Sequence, residues 1–357
     1  MLTKRLAYGL WIVVSLLLVA CRPGSSAGPS ARATALPLAS STTSTVPPRP
    51  VVIDTDMAAD DWMALLYLLR RPDVAVQAIT VTGTGEAHCE PGTRNARGLV
   101  ALANRGDIPV ACGRTTPLQG GHAFPAHWRA EVDTLLGLTL PTTTTRHTQQ
   151  TAVDLLTSVI QASPQPVVLL TLGPLTNIAE AVRRTPALVK NLAMIYIMGG
   201  AVAVPGNIAE SGARIANHVA EWNLYVDPHA AQVVLASGAP VTLIPLDATN
   251  HVPVTGSFYG RLKGDRVSPV AGFAFDVLTK RYAFIQSGGY YFWDPLAAAI
   301  LTDESLATLQ TRALSVIEAE GAESGRTLPS AVGAPVRVAV SADGARFEPL
   351  FLSTLNN

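Results

Sequence analysis

The chain has 357 residues, with 26 basic and 26 acidic side chains, so its formal net charge is zero. That balance leaves no electrostatic footprint for nucleic acid, and no RNA-binding motif is present, which sets nucleic-acid partners aside. The three cysteines, Cys21, Cys89 and Cys112, show no CxxC or other metal-ligand spacing.

Residues 1–20 read as a secretory signal. Lys4 and Arg5 precede an apolar stretch over 6–20 that ends in Leu18, Val19 and Ala20. The stretch is short against the roughly 20 apolar residues of a spanning helix. Cys21 follows the small residue directly, as in a bacterial lipobox, where it would become the lipidated first residue of the mature chain. An ordinary signal peptide or an uncleaved anchor with an incidental cysteine is the alternative. The expectation is an exported protein, facing the periplasm or the exterior, that meets the membrane through a lipid anchor only. Residues 21–49 are rich in Ser, Thr, Pro, Ala and Gly and read as a flexible tether. Residues 50–357 remain as one domain.

That domain opens on an apolar strand, Val51, Val52 and Ile53, which runs into Asp54, Asp56, Asp60 and Asp61. Side chains two apart on a strand share a face, so Asp54 and Asp56 can converge. Asp60 and Asp61 then start a helix whose apolar stripe is Trp62, Leu65, Leu66 and Leu69. So many negative charges in one place repel unless a cation sits among them, and Ca²⁺, a hard oxygen-seeking ion, is the simplest candidate. Helix capping by Asp60 is the plainer reading, but it accounts for one or two of the acids and not for four.

Strand and helix patterns then alternate to about residue 250. Apolar runs at 74–81, 108–111, 167–172, 192–198 and 241–246 read as buried parallel strands. Segments 61–70, 93–104, 152–162, 175–184 and 228–236 read as the helices between them. The rhythm predicts a single large α/β domain with a mostly parallel central sheet and helices on both faces, in which ligands bind at the carboxyl ends of strands. Residues 252–293 read as looser, and a strand-like piece at 336–340 closes the chain. Cys89 and Cys112 read as structural cysteines, and whether they pair stays open.

Three further strand ends carry polar groups. Leu172 leads into Gly173, Pro174, Leu175, Thr176 and Asn177. Met198, Gly199 and Gly200 are followed by Asn207 and then by Glu221, Trp222 and Asn223, whose amides and carboxylates suit a polyhydroxylated ligand. Trp293, Asp294, Pro295, Leu296 and Ala297 place an aspartate at a helix start, as an N-cap or as a carboxylate that closes a cation site.

Taken together in this order, the blocks from about Val51 to Phe347 resemble the calcium-dependent nucleoside hydrolases of the inosine-uridine-preferring type. The resemblance implies a nucleoside-hydrolase-like, Rossmann-like fold and hydrolysis of the N-glycosidic bond of a ribonucleoside to ribose and free base. It implies that Asp56, Asp61 and Asp294 bind Ca²⁺ through carboxylates and Leu172 through its backbone carbonyl. Asp60 and Asn223 would hold ribose hydroxyls, Asn207 and Glu221 the 5′ end, and Asp54 would buttress the loop. Asp56 would also be the general base, facing a water made more acidic by the cation.

Three departures from the family pattern stand out. Met57 and Ala58 replace Pro-Gly inside the opening motif, so the turn forms without the usual residues. Glu86 takes the place of a ribose-contacting asparagine, and an ionised carboxylate accepts but does not donate. Trp293 stands where some members place a leaving-group histidine. Tyr290, Tyr291 and Trp293 could stack on the base or belong to the core. His88, His122 and His127 lie in loops that could approach it, although surface or packing roles are the simpler expectation. A nucleoside- or sugar-binding lipoprotein with little turnover is the competing reading. A Mg²⁺ phosphatase is weaker, since no phosphate clamp is evident. A homo-oligomer is possible, and the preferred base stays open.

Overall fold

Strand β1 (Arg49–Thr55) is buried from Pro50 onward on both faces, as expected of a central parallel strand built from a continuous apolar run. The computed structural model describes residues 47–106, 108–143 and 148–357. The signal segment, Cys21 and nearly all of the tether lie outside the described residues. Among the described residues, no helix is long and apolar enough to cross a membrane.

After β1 come β2 (Val74–Val81), β3 (Val110–Cys112), β4 (Val167–Thr171), β5 (Leu192–Met198), β6 (Val241–Ile244), β7 (Ala307–Val316), β8 (Thr327–Pro329) and β9 (Ala334–Ala342). They form a single sheet in the order β3-β2-β1-β4-β5-β6-β9-β7-β8. All neighbours from β3 through β9 pair parallel, while β7 is antiparallel to both β9 and β8. The chain builds outward from β1 to one edge, then returns to β4 and builds the other way. The gap between β1 and β4 is therefore the topological switch point, where such sheets open a crevice beyond their carboxyl ends.

Helices cover both faces. Val51 and Ile53 point into one core with Trp62 and Leu65 of α1 (Ala59–Arg70) and Leu99 of α2 (Cys89–Leu102). The intervening Val52 points into the other core, shared with Leu156 of the helix Ala152–Ala162 and Ile178 of the helix Thr176–Arg184. The alternation is that of a strand buried on both sides.

Strands β2 and β5 and the helix Ala152–Ala162 have the predicted bounds. Strand β6 stops two residues earlier than expected, because Pro245 follows Ile244 and cannot donate to a ladder. Residues 252–293 are not loose. They hold the helices Gly256–Gly264, Pro269–Lys280 and Tyr282–Gln286, fixed by buried Phe258, Leu262, Phe273 and Leu278. The strand at the end of the chain is β9, longer than predicted, and a helix, Gly344–Asn356, follows it.

Candidate active site at the switch point

Asp54 lies one residue before the end of β1, with its carboxylate turned along the sheet. Its Oδ1 accepts from Thr80 Oγ1 at 2.5 Å and from Asn177 Nδ2 at 2.8 Å. Those bonds tie β1 to β2 and to the helix Thr176–Arg184, and so buttress the turn that leaves the strand. Burial pushes the Asp54 carboxyl up to about 7, against the lowering effect of those two donors.

The chain then turns at Met57, which takes a left-handed φ of 62°. Helix α1 starts with Ala58 as N-cap and no side-chain cap, so neither Asp60 nor Asp61 is spent on capping. Asp61 instead folds back over the turn. Its Oδ1 accepts from the Thr55 hydroxyl, from Asp56 N at 3.2 Å and from Met57 N at 3.3 Å. Its Oδ2 is buried with no hydrogen-bond donor.

The helix Trp293–Thr302 delivers Asp294. The helix begins at Trp293, so Asp294 lies within its first turn and is not the N-cap. Asp60, Asp61 and Asp294 each offer an oxygen within 4.8 Å of the others, the one such group of three potential ligands among the described residues. Burial, reinforced by mutual repulsion, holds Asp61 and Asp294 well above the usual carboxylate range and lifts Asp60 to about 7. A buried carboxylate oxygen without a donor, among like charges, is costly unless a cation compensates it. An all-oxygen donor set of this kind fits a hard divalent metal ion.

Asp56 sits beside this trio. Its Oδ1 accepts from Ala58 N at 3.3 Å and its Oδ2 from Glu86 N at 3.2 Å. Two glycines press on it, since a Cβ at Gly85 would stand 2.0 Å from Asp56 Cβ and one at Gly173 2.5 Å from the same atom. Burial raises the Asp56 carboxyl to about 6, with hydrogen bonds and the Arg129 charge opposing.

The remaining expected residues gather from β4 and β5. Leu172 O accepts from Asn223 Nδ2 at 3.2 Å, and the same amide donates to Met198 O at 3.2 Å. Glu221 is the N-cap of the helix Trp222–Val226, accepting from Asn223 N at 3.0 Å and from Gly200 N at 2.9 Å. Asn207 Oδ1 accepts from Trp222 N at 3.2 Å. Of the four expected metal ligands, then, the structure draws Asp61 and Asp294 together with Asp60. Asp56 and the Leu172 carbonyl flank them on hydrogen bonds of their own.

Glu86 is half-buried near Asp56 and Asp60. Burial and those two charges raise its carboxyl well above the usual range, and Arg281 is the main charge opposing the rise. Arg281 is bound to Glu131 at 2.8 Å, and Arg129 donates to Gly83 O at 3.1 Å. Neither arginine stands out in the sequence, because no motif surrounds them. Trp293 is half-buried and packs edge-on to Tyr290 at 5.4 Å between ring centroids and tilted to Tyr291 at 5.7 Å. The Tyr290 hydroxyl is buried without a hydrogen-bond partner. The loop histidines have other company. His88 pairs with Asp133 at 2.7 Å, His122 stacks on Tyr225 at 4.0 Å, and His127 lies edge-on to Trp128 at 6.1 Å.

The doubly wound sheet thus carries at its switch point clustered carboxylates that fit a metal ion, beside a half-buried aromatic wall, which is the layout of a small-ligand site. The profile of the inosine-uridine preferring nucleoside hydrolases matches residues 51–349, and the chain belongs to that family. Among its relatives, the pyrimidine-specific ribonucleoside hydrolase RihA of Escherichia coli O1:K1 / APEC is 34% identical over 275 residues, 75% of this chain and 84% of that one. A solved plant nucleoside hydrolase, PpNRh1, superposes with a TM-score of 0.77 at 30% identity, covering 87% of this chain and 99% of the other. The purine-preferring ribonucleoside hydrolase of Gardnerella vaginalis superposes with a TM-score of 0.74 at 25% identity, covering 86% and 98%.

Proposed function

We propose that this site hydrolyses ribonucleosides to ribose and free base with Ca²⁺ as cofactor and Asp56 as general base. The observation that carries the reading is Asp61 Oδ2, buried without a donor while Asp60 and Asp294 converge on the same space. Asp56, Asp61, Asp294 and the Leu172 carbonyl would hold the ion, and Asp60 stands close enough to serve it as well as the sugar. When bound, calcium supplies the positive charge that acidifies a water and grips vicinal hydroxyls.

The chain's own residues supply the rest. Asp60 and Asn223 orient the ribose hydroxyls, and Asn207 and Glu221 face its 5′ end. Asp56 takes a proton from the attacking water as general base. Breaking the bond leaves positive charge on the sugar ring, which the surrounding carboxylates stabilise. Glu86 accepts from a sugar hydroxyl. Tyr291 and Trp293 offer ring faces to the departing base.

The protein is further proposed to be exported and anchored through a lipid on Cys21. The Cys89–Cys112 disulfide, with 5.5 Å between Cα atoms, supports that placement, since such bonds persist in oxidising compartments. Ribose release from a panel of purine and pyrimidine nucleosides, with and without chelator, tests the activity. Release that chelator abolishes is expected. Tight nucleoside binding with no release would overturn the reading in favour of a receptor.

A further inference from the structure

The Cys89–Cys112 disulfide lies against the loop that holds Asp56. Cys89 opens α2, immediately after the loop at 82–88, and Cys112 ends β3. A Cβ on Gly83 would stand 2.9 Å from Cys89 Sγ, so the loop rests on the bridge. That loop holds Asp56, presenting Glu86 N to its Oδ2 at 3.2 Å and Ala87 N to its backbone oxygen at 2.9 Å. On the other end, Gly113 follows Cys112, and a Cβ there would stand 1.8 Å from Asn177 Oδ1. Asn177 in turn donates to Asp54 Oδ1 at 2.8 Å. Each half of the bridge thus backs one of the two aspartates at the end of β1.

The loop has further tethers, since Thr82 N donates to Thr55 O at 2.9 Å and Thr84 Oγ1 lies 3.0 Å from Thr176 Oγ1. Arg129 donates to Gly83 O at 3.1 Å and Asp133 accepts from His88 N at 2.9 Å, and both belong to the helix Ala126–Asp133, which buries only Val132. By contrast, β2 and β3 pair through Ile79–Val110, Thr80–Ala111 and Val81–Cys112, and α2 buries Ala96, Leu99 and Val100. Opening the bridge leaves those elements packed and removes the covalent support of the loop, whose buried apolar side chains are limited to Ala87.

We propose that this disulfide is a positioning element of the active site, so that turnover depends on its oxidation state; the proposal rests on the hydrolase reading above. Both cysteines are half-buried and within reach of a small thiol. A dithiol reductant gives two electrons and two protons, the S–S bond breaks, two thiols form, and the reductant closes to its own cyclic disulfide. The loop then no longer fixes Asp56 and Glu86, and a misplacement of about 1 Å at a catalytic group costs up to roughly 10²-fold in rate.

The test uses the full chain with Ca²⁺ under native conditions, before and after dithiothreitol, with thiol titration to show that the bridge has opened. Expected are a fall in kcat of about 10- to 100-fold, little change in melting behaviour, and recovery on reoxidation. The C89S/C112S double variant should match the reduced protein and ignore reductant. Hydrogen exchange followed by mass spectrometry should show faster exchange at 82–88 with α1 unchanged. Normal kcat in the reduced protein, or unchanged exchange at 82–88, overturns the proposal. An oxidised protein that releases no ribose defeats the hydrolase reading instead, and the exchange measurement still decides whether the bridge holds the loop.

Discussion

The indole Nε1 of Trp62 donates to the carbonyl oxygen of Met57 at 2.8 Å, holding from below a residue whose backbone lies in the left-handed region at φ 62°. A side chain other than glycine in that region costs about 1–2 kcal/mol, and it persists only where neighbours over-determine it. Here Trp62 supplies that restraint, together with the bonds from Met57 N to Thr55 Oγ1 at 3.0 Å and to Asp61 Oδ1 at 3.3 Å. The turn, which has neither proline nor glycine at Met57 and Ala58, is held by bonds from side chains of the adjoining strand and helix.

Trp62→Phe keeps an apolar ring and removes the donor. The buried Met57 carbonyl would lose its partner, a cost of about 1–3 kcal/mol. Urea unfolding should show that loss. Calcium affinity should weaken with it, since the turn aligns Asp61.

Asp56→Asn keeps the size of the side chain and removes the proposed base. Turnover should drop by roughly 10²–10⁴-fold. Calcium binding followed by calorimetry should weaken but persist, because Asp61, Asp294 and the Leu172 carbonyl remain, so turnover is compared at saturating calcium. A variant with near-normal kcat would remove Asp56 from its catalytic role.

Gly173→Ala inserts a methyl 2.5 Å from Asp56 Cβ and 3.0 Å from Asp56 N. Backbone or carboxylate must give way, and a rate loss of roughly 10²-fold is expected from displacement alone. KM should change less than kcat, which steady-state kinetics on one nucleoside would show.

The raised carboxyls set a pH dependence for the metal-free protein. Asp54 and Asp60 sit at about 7 and Asp56 at about 6, against 3.8 for the free side chain. The folded chain therefore keeps protons that the unfolded chain gives up. That stability is fully present below pH 3.8 and is lost as pH rises through about 7. The proposed calcium ion would need the ionised forms, so its binding would release protons and tighten with rising pH. In chelator, melting temperature should fall between pH 5 and pH 8, and added calcium should raise it more at pH 8. An equal calcium effect at both values would place the ion elsewhere.

Much of the site was legible in the sequence because the chemistry is contiguous. Asp54 to Asp61 lie on one strand, turn and helix, and β2 and β5 are apolar runs whose ends are marked by polarity. Other parts rest on partners distant in the chain. The helices at 256–264 and 269–280 contain Gly256, Gly260, Gly264 and Gly272, poor helix formers that buried Phe258 and Phe273 override. Strand β7 is hidden in the sequence because only two of its ten residues are buried and Gln310, Thr311 and Arg312 interrupt the apolar pattern. Arg129 reaches the site from a helix and Arg281 from the turn between two helices, neither within a motif. The cysteine pairing needed a distance that no spacing supplies.

Strand β9 fills the slot between β6 and β7 although it is the last strand to be made. A growing chain that has already completed Asp54 through Asp294 still presents the open flank of β6 until residues 334–342 emerge. Bare strand flanks recruit foreign strands. A ribosome that stops early, or a protease that trims the tail, would thus yield a product with every acid in place that is prone to clump before it can turn over substrate.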